Sequence, residues 1–192
     1  FGTAVAVSGD TALVGAETDL DQNLNQGSVY VFERGAGGGW GETAKLLAND
    51  GEAQDFFGRS VSLDGDLALI GAANDDAGFS DSGSAYIFER SGDGGWNQAA
   101  KLQPNDPAEN SLFGAALSIS DGRALVGAPR RGDSGAAYVF VRQYAIGDQG
   151  NGTIVDANGR MWMKCAQGDT FSESFNSCSG YETTPLQFCE TD

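Results

Sequence analysis

Hydrophobic residues recur along the chain in short runs, and each run is bounded by Gly, Asp or Asn. Runs of four or five residues that are rich in β-branched, aromatic and small side chains predict β-strands. The most complete unit contains four of them, at 59–63, 67–70, 84–88 and 98–102. The pattern therefore predicts an all-β protein whose unit is a four-stranded antiparallel sheet.

The same unit recurs three times, and each copy opens with Phe-Gly. The openings are Phe1-Gly2, Phe57-Gly58 and Phe113-Gly114, so that successive copies start 56 residues apart. A repeat of this length is typical of propellers, solenoids and arrays, in which neighbouring units cover one another. Four strands are the unit of a β-propeller blade. We expect two full blades at 1–56 and 57–112, and a partial blade at 113–142 that stops before its fourth strand.

Three features of the second repeat predict how a blade is built. Asp64-Gly65, between the first two strands, is a strong signal for a hairpin with a type I′ turn. Gly71-Ala72 ends the second strand with small residues, which allow another backbone to approach closely. The third strand carries Tyr86 and Phe88, which we expect on opposite faces of the sheet, so that both faces are covered.

The chain is strongly acidic, with a formal net charge of −16 and no His. Such a charge repels nucleic acid and anionic membrane surfaces, so nucleic-acid binding is not expected. The absence of His removes the usual general base and the commonest transition-metal ligand. No run of apolar residues is long enough to span a membrane, so we expect no membrane insertion. A binding or structural protein, and not an enzyme, is therefore expected, with no catalytic residue assigned.

One loop is a candidate for calcium. Asp19, Asp21 and Asn23 offer oxygen atoms at alternating positions, and Ca²⁺ binds six to eight oxygens. The closing acid of a calcium loop is missing, and the third repeat has Arg130 and Arg131 in the corresponding loop. Solvated Asx-turns are therefore the stronger interpretation, and no other cofactor is expected.

Two other motifs have simple explanations. Arg131-Gly132-Asp133 is the tripeptide that integrins recognise, but its Asp aligns with Asp81 of the second repeat, which gives it a structural role. Trp40 and Trp96 could form a carbohydrate platform. Their periodic position favours packing in the core.

The Phe-Gly openings and Gly127-Ala128-Pro129 resemble the FG-GAP repeat, the blade of integrin-α-type propellers. The fourth strands, Trp-x-x-x-Ala-Lys-Leu at 40–46 and 96–102, are similar to the bacterial branch of that family. The resemblance covers about residues 1–142 and implies a propeller fold, but it is much less specific for activity. Integrin repeats carry an Asp-rich calcium loop between the two motifs. Here that interval holds only a tight turn, so that calcium site is not carried over.

The tail at 143–192 has a different character. Cys165, Cys178 and Cys189 all lie there, in a segment rich in Gly, Ser and Thr, which suggests a disulfide and an oxidising compartment. Thr-Ile-Val-Asp at 153–156 and Gly-Arg-Met-Trp-Met-Lys-Cys at 159–165 resemble the opening of the Lcl-type C-terminal domain of bacterial surface proteins and a collagen-like adhesin. The resemblance implies a surface location and glycan adhesion.

We predict a small β-rich module in this tail, with a Cys165–Cys178 disulfide worth about 3 kcal/mol by the chain-entropy estimate. Cys189 would then be free or paired with another chain.

Two functions follow for a secreted or surface-attached protein of bacterial type. The first is an adhesion or binding module that recognises glycan or protein through its repeats. The second is a structural subunit of an extracellular assembly or filament in which blades are completed between chains. A propeller needs four to eight blades to close, and an open array leaves an edge and two faces exposed, so we expect either that this chain is a fragment of a longer one or that copies associate as in the second function.

Overall fold

The computed structural model describes residues 1–20 and 25–143 and, beyond them, the backbone of five short strands. The first sheet contains β1 (Val5–Ser8), β2 (Thr11–Ala16), β3 (Ser28–Arg34) and β4 (Trp40–Leu46). The second contains β5 (Phe57–Asp64), β6 (Leu67–Ala72), β7 (Ser84–Arg90) and β8 (Trp96–Leu102). In both, the strands pair antiparallel in chain order, as predicted for propeller blades. None of the described residues forms a helix long and apolar enough to cross a membrane.

The third repeat forms β9 (Ala116–Ser120), β10 (Arg123–Ala128) and β11 (Ala136–Gln143). The remaining strands are β12 (Ile154–Val155), β13 (Met161–Lys164), β14 (Thr170–Ser172), β15 (Ser177–Ser179) and β16 (Cys189–Glu190). The repeat thus supplies three strands, as expected for a partial blade. The tail pairing described next was not predicted.

The fourth place in the third sheet is taken by the tail. β13 pairs antiparallel with β11 and sets Trp162 opposite Arg142, just as Trp96 of β8 lies opposite Arg90 of β7. β16 pairs with β11 nearer its start, and β12 pairs with β13. The tail strand therefore repeats the Trp-to-Arg register of a fourth strand, although its sequence otherwise differs. The prediction of a separate module after residue 142 stays a prediction.

The apolar core lies between neighbouring sheets. β6 contributes to both layers, because alternate residues of a strand point to opposite faces. Ala68, Ile70 and Ala72 pack towards the first sheet, and Leu67 and Leu69 pack towards the third. Both faces of the middle sheet are therefore covered, as the repeat predicts.

The prediction for the Tyr and Phe of the third strand was wrong. Tyr86 and Phe88 are two residues apart, so they lie on the same face of β7. Both rings meet Phe57 edge-on, at centroid distances of 5.5 and 5.9 Å. Ala85 and Ile87 occupy the other face. The first and third repeats contain the same trio of rings.

The predicted hairpin is present, but its turn is different. β5 ends at Asp64 and β6 begins at Leu67, so the turn residues are Gly65 and Asp66. Of these only Gly65 has a positive φ, of 56°, which is the pattern of a type II′ turn. In the third repeat the pair is Asp121-Gly122, which lies one position later in the repeat than Asp64-Gly65. Both of its residues are turn residues with positive φ, as in type I′.

Each following repeat inserts its Phe-Gly opening against the Gly-Ala end of the preceding blade. The Phe57 N–H donates to the carbonyl of Gln26 at 2.8 Å, and Gly27 forms an isolated parallel bridge with Phe57. A Cβ placed on Gly15 would lie 2.0 Å from the carbonyl oxygen of Gly58. The blades therefore touch through their backbones at this point, and no side chain fits between them.

We expect Gly71→Ala to destabilise the protein by about 2 kcal/mol, as overpacking of a tight contact does. The added Cβ would lie 2.1 Å from the carbonyl oxygen of Gly114 and 2.3 Å from the Ser60 hydroxyl. Gly41→Ala in β4 is the matched control, because nothing lies within 4 Å of its Cβ. Urea unfolding should separate the two variants, and equal stabilities would contradict the backbone contact between blades.

Candidate binding site

The loops between second and third strands, together with the linkers between repeats, lie at one end of each blade, here called the loop end. In the first blade the Asp19 carboxylate organises this end. Its Oδ2 accepts hydrogen bonds from the Ser28 and Tyr30 hydroxyls, both at 2.7 Å, and lies 3.2 Å from Lys45 Nζ. The bonds from Ser28 and Tyr30, with the nearby Lys45, lower the pKa of Asp19 to about 2.

The second blade contains the same arrangement with one added acid. Asp75 Oδ2 accepts from the Ser84 hydroxyl at 2.5 Å and lies 3.0 Å from Lys101 Nζ. Lys101 also bonds Asp50, from the preceding linker, at 2.6 Å. Burial raises the pKa of the Tyr86 hydroxyl, which faces this pair of carboxylates. The lysine thus joins the linker of one blade to the loop of the next.

A second buried acid lies close by. Asp55 is buried just before the Phe-Gly opening of the second repeat, and its Oδ2 accepts the Glu52 N–H at 2.6 Å. Burial raises the pKa of Asp55 to about 6, and the charge of Asp75 contributes. This carboxyl therefore changes its protonation between mildly acidic and neutral pH.

In the third blade an arginine takes the place of the loop acid. Arg131 stands in the loop position of Asp75, and the acid is Asp106, the linker equivalent of Asp50. Asp106 accepts from the Tyr138 hydroxyl at 2.9 Å and from Arg131 Nη2 at 2.7 Å. Arg131 Nε also donates to the Asp106 carbonyl at 3.1 Å. The Arg of the Arg-Gly-Asp tripeptide therefore has a structural role at the loop end.

The calcium candidates and the predicted disulfide are only partly described. Asp19 is engaged by the hydroxyls and lysine of its own blade, whereas Asp21 and Asn23 lie outside the described residues. Within the described part of the chain, no group of three or more His, Cys, Asp or Glu is placed to hold a metal ion. Cys165 also lies outside the described residues, so both the calcium site and the Cys165–Cys178 disulfide stay predictions.

The two tryptophans differ from each other. Trp96 packs against the apolar cluster between the first two sheets, as predicted. Trp40 is 47% exposed at the start of β4, so the prediction of core packing was wrong for this residue. Trp40 opens the fourth strand of the first blade, and no described blade lies in front of that blade to cover it.

A cavity of about 890 Å³ lies at the loop end of the third blade and is here called the terminal groove. Its lining includes Asp106 and Arg131 and a mainly apolar floor of Gly127, Ala128 and Gly135. The equivalent floors in the first and second blades hold the Phe-Gly openings of the next repeat. None of the described residues holds that place in the third blade.

The backbone that lines the terminal groove resembles the backbone at the two filled positions inside the chain. Gly135 has a φ of 76°, close to the 83° of Gly83. A Cβ on Gly83 would lie 2.1 Å from the carbonyl oxygen of Phe113, whereas a Cβ on Gly135 would meet only Pro129 of its own blade, at 3.1 Å or more. At Gly127 the nearest atom to an added Cβ is 3.6 Å away. The conformation of Gly135 therefore matches that of a filled position, and none of the described residues lies against it as Phe113 lies against Gly83.

The fold is an array of antiparallel sheets consistent with β-propeller blades, and it has a groove in the third sheet that none of the described residues fills. The family model of the FG-GAP repeat matches residues 1–32, 40–88 and 96–140, which make up most of the chain. The protein belongs to the FG-GAP repeat family. A search of curated proteins found no match. The similarity of the tail to the Lcl-type domain, and a bacterial origin, stay predictions.

Asp55→Asn should change how stability depends on pH. The pKa of Asp55 is about 6 in the folded protein and 3.8 in the unfolded chain, so between these values only the folded protein keeps the proton. Wild-type stability therefore falls as the pH rises from about 4 to 6. The Asn still accepts the Glu52 N–H. We expect the variant to gain about 2 kcal/mol relative to wild type between pH 4 and pH 7, measured by urea unfolding.

Asp19→Asn is the control of opposite sign. The pKa of Asp19 is lowered, so the stability that its carboxylate contributes is present above pH 3.8 and is lost as the pH falls towards 2. This variant should be less stable than wild type at pH 7, and the difference should close in acid. A pH-independent difference for Asp55→Asn would contradict the assignment.

Proposed function

We propose that this protein is a protein-binding module that acts outside the cell or at its surface, and that the terminal groove is its binding site. The observation that carries the proposal is the match between this groove and the two filled positions inside the chain. Membership of the FG-GAP family supports a binding role and an extracellular location, because such repeats commonly mediate binding in integrin-like extracellular proteins.

The filled positions indicate the chemistry of the ligand. Each takes an extended segment that begins with Phe-Gly, whose Phe N–H donates to a carbonyl of the accepting loop, at 2.8 Å to Gln26 and 3.0 Å to Ser82. The Gly is required, since a Cβ on Gly58 or Gly114 would lie 2.4 or 2.3 Å from a serine carbonyl oxygen. A peptide backbone supplies both the donor and this close contact, which favours protein over glycan as the ligand.

We propose binding and not catalysis for the loop end. Asp19, Asp75 and Asp106 accept hydrogen bonds from hydroxyls, and each also pairs with a lysine or an arginine. Asp19 and Asp75 fix the loops of the first two blades, and Asp106 fixes the loop that borders the terminal groove. The acidic surface further favours a neutral or basic protein partner over an anionic one.

A peptide titration tests the proposal. A fluorescent peptide with the sequence of residues 111–120 should bind the protein saturably, as measured by anisotropy. The same peptide with Gly114→Val should bind at least about tenfold more weakly, a difference of about 1.4 kcal/mol, because the side chain collides with the carbonyl of residue 136.

The protein variant Gly127→Ala tests whether the peptide binds in the terminal groove. Its Cβ has room in the free protein, with its nearest neighbour at 3.6 Å, but it fills the space that the glycine carbonyl of a docked segment needs. It should therefore keep its melting temperature and lose the peptide. Equal binding of both peptides would contradict the proposal, and glycan binding that survives Gly127→Ala would place the ligand site elsewhere.

A further inference from the structure

We infer that the junction between the first two blades is a proton-operated latch, which is held while Asp55 is protonated and is loosened when Asp55 ionises. The first junction is the set of contacts that residues 54–57 make with the loops of the first and second blades. The inference goes beyond the proposed function, because it concerns an internal position of the array and not the terminal groove.

Asp55 lies at the centre of the contacts that hold this linker in place. The Gln54 N–H donates to the Asn25 carbonyl at 2.7 Å, and the Asp55 carbonyl accepts the Asn74 N–H at 3.2 Å. The Phe57 N–H then bonds the first blade at 2.8 Å, two residues further on. The linker is therefore bound to the first blade on both sides of Asp55 and to the second blade at Asp55 itself.

The backbone of the linker is strained on both sides of Asp55. Gln54 and Phe56 have φ values of 75° and 57°, which residues with a large side chain rarely adopt. Such a conformation persists only where the surrounding contacts hold it. Because release relieves both strained residues, a change that weakens the contacts of Asp55 favours release of the segment.

The surroundings of the Asp55 carboxyl disfavour its charged form. Asp55 is 5% exposed. The titratable groups that face it are Glu52 of its own linker, Asp75 of the loop before β7, Tyr86 of β7 and Lys101 of β8. The single cation of this set, Lys101, is already shared by Asp50 and Asp75, at 2.6 and 3.0 Å. Ionisation of Asp55 therefore adds a buried negative charge beside Asp75, and such a charge is costly.

The protonation of Asp55 differs between the closed and the open junction. Burial raises the pKa of this carboxyl to about 6, and the bond that it accepts from the Glu52 N–H offsets only part of that rise. In an open linker the carboxyl meets water, where its pKa is 3.8. The closed junction is thus fully favoured below about pH 4. It is favoured less as the pH rises through 6 and the proton passes to water.

The second junction has the same backbone but lacks the acid. Ser111 occupies the position of Asp55, between two residues with φ values of 57° and 55°. Its carbonyl accepts the Arg130 N–H at 3.3 Å, as the Asp55 carbonyl accepts an N–H in the second blade. The Ser111 hydroxyl donates to the Ser82 carbonyl at 2.9 Å and stays neutral between pH 4 and pH 7. The two junctions are therefore a matched pair, of which only the first has a group that titrates.

Hydrogen exchange of the full chain, followed by NMR at pH 4 and pH 7, tests the latch. The Phe57 and Asn74 N–H groups report on the first junction, and those of Phe113 and Arg130 report on the second. Each rate is divided by that of an unstructured amide at the same pH. We expect protection at the first junction to fall at least about tenfold from pH 4 to pH 7, with little change at the second.

Asp55→Ser is the matched variant, because it places the residue of the second junction in the first. It should remove the pH dependence of protection at Phe57 and leave protection at Phe113 unchanged. Asp55→Asn also stays neutral and still accepts the Glu52 N–H, so it should give the same result with a side chain of the original size.

Three results would overturn the inference. Protection at Phe57 that is equal at the two pH values would show that no latch operates. Equal falls at Phe57 and Phe113 would show that the whole protein unfolds more readily, and not that one junction opens. A pH dependence that survives in both Asp55 variants would assign it to another group. None of these results bears on the terminal groove, which is tested by peptide binding at a fixed pH.

Discussion

The contact on which the rest of the structure depends is the insertion of a Phe-Gly opening against the Gly-Ala end of the preceding blade. It brings two backbones together so closely that a Cβ at Gly15 or Gly71 would lie about 2 Å from a carbonyl oxygen. The same insertion buries the Phe ring against the Tyr and Phe of its own third strand. The apolar core therefore lies between neighbouring sheets.

Polar chemistry at the loop end supports this contact. In each blade a carboxylate accepts from the third-strand Tyr and pairs with a cation, but the residues are exchanged between repeats. Lys101 bridges Asp50 and Asp75 in the second blade, and Arg131 holds Asp106 in the third. A partly buried charge needs a partner of opposite charge, so a repeat that replaces the acid of its loop also replaces the cation that pairs with an acid there. With Arg131 at the loop position of Asp75, the third blade keeps the pairing of an acid with a cation.

Repetition and hydrophobic pattern were enough to predict much of this fold. The strands of the middle repeat, their antiparallel order and the burial of both faces follow from short runs with period two. The error over Tyr86 and Phe88 came from misapplying that period, since residues two apart share a face. The turn type at Gly65 depends on backbone φ, and the exposure of Trp40 depends on packing beyond its own strand, so a local motif predicts neither.

The sequence by itself determined the blade, its number of copies and the small residues where blades meet. Only the tertiary structure showed that β13 takes the fourth place in the third sheet, because strand pairing at that distance depends on register and not on a repeated sequence. It also showed that Gly127 and Gly135 line a groove that none of the described residues fills, while the equivalent positions in the first two blades are filled. The Gly-Ala motif is common to all three repeats, but it does not by itself show whether another segment packs against it, because that contact is made by residues far along the chain.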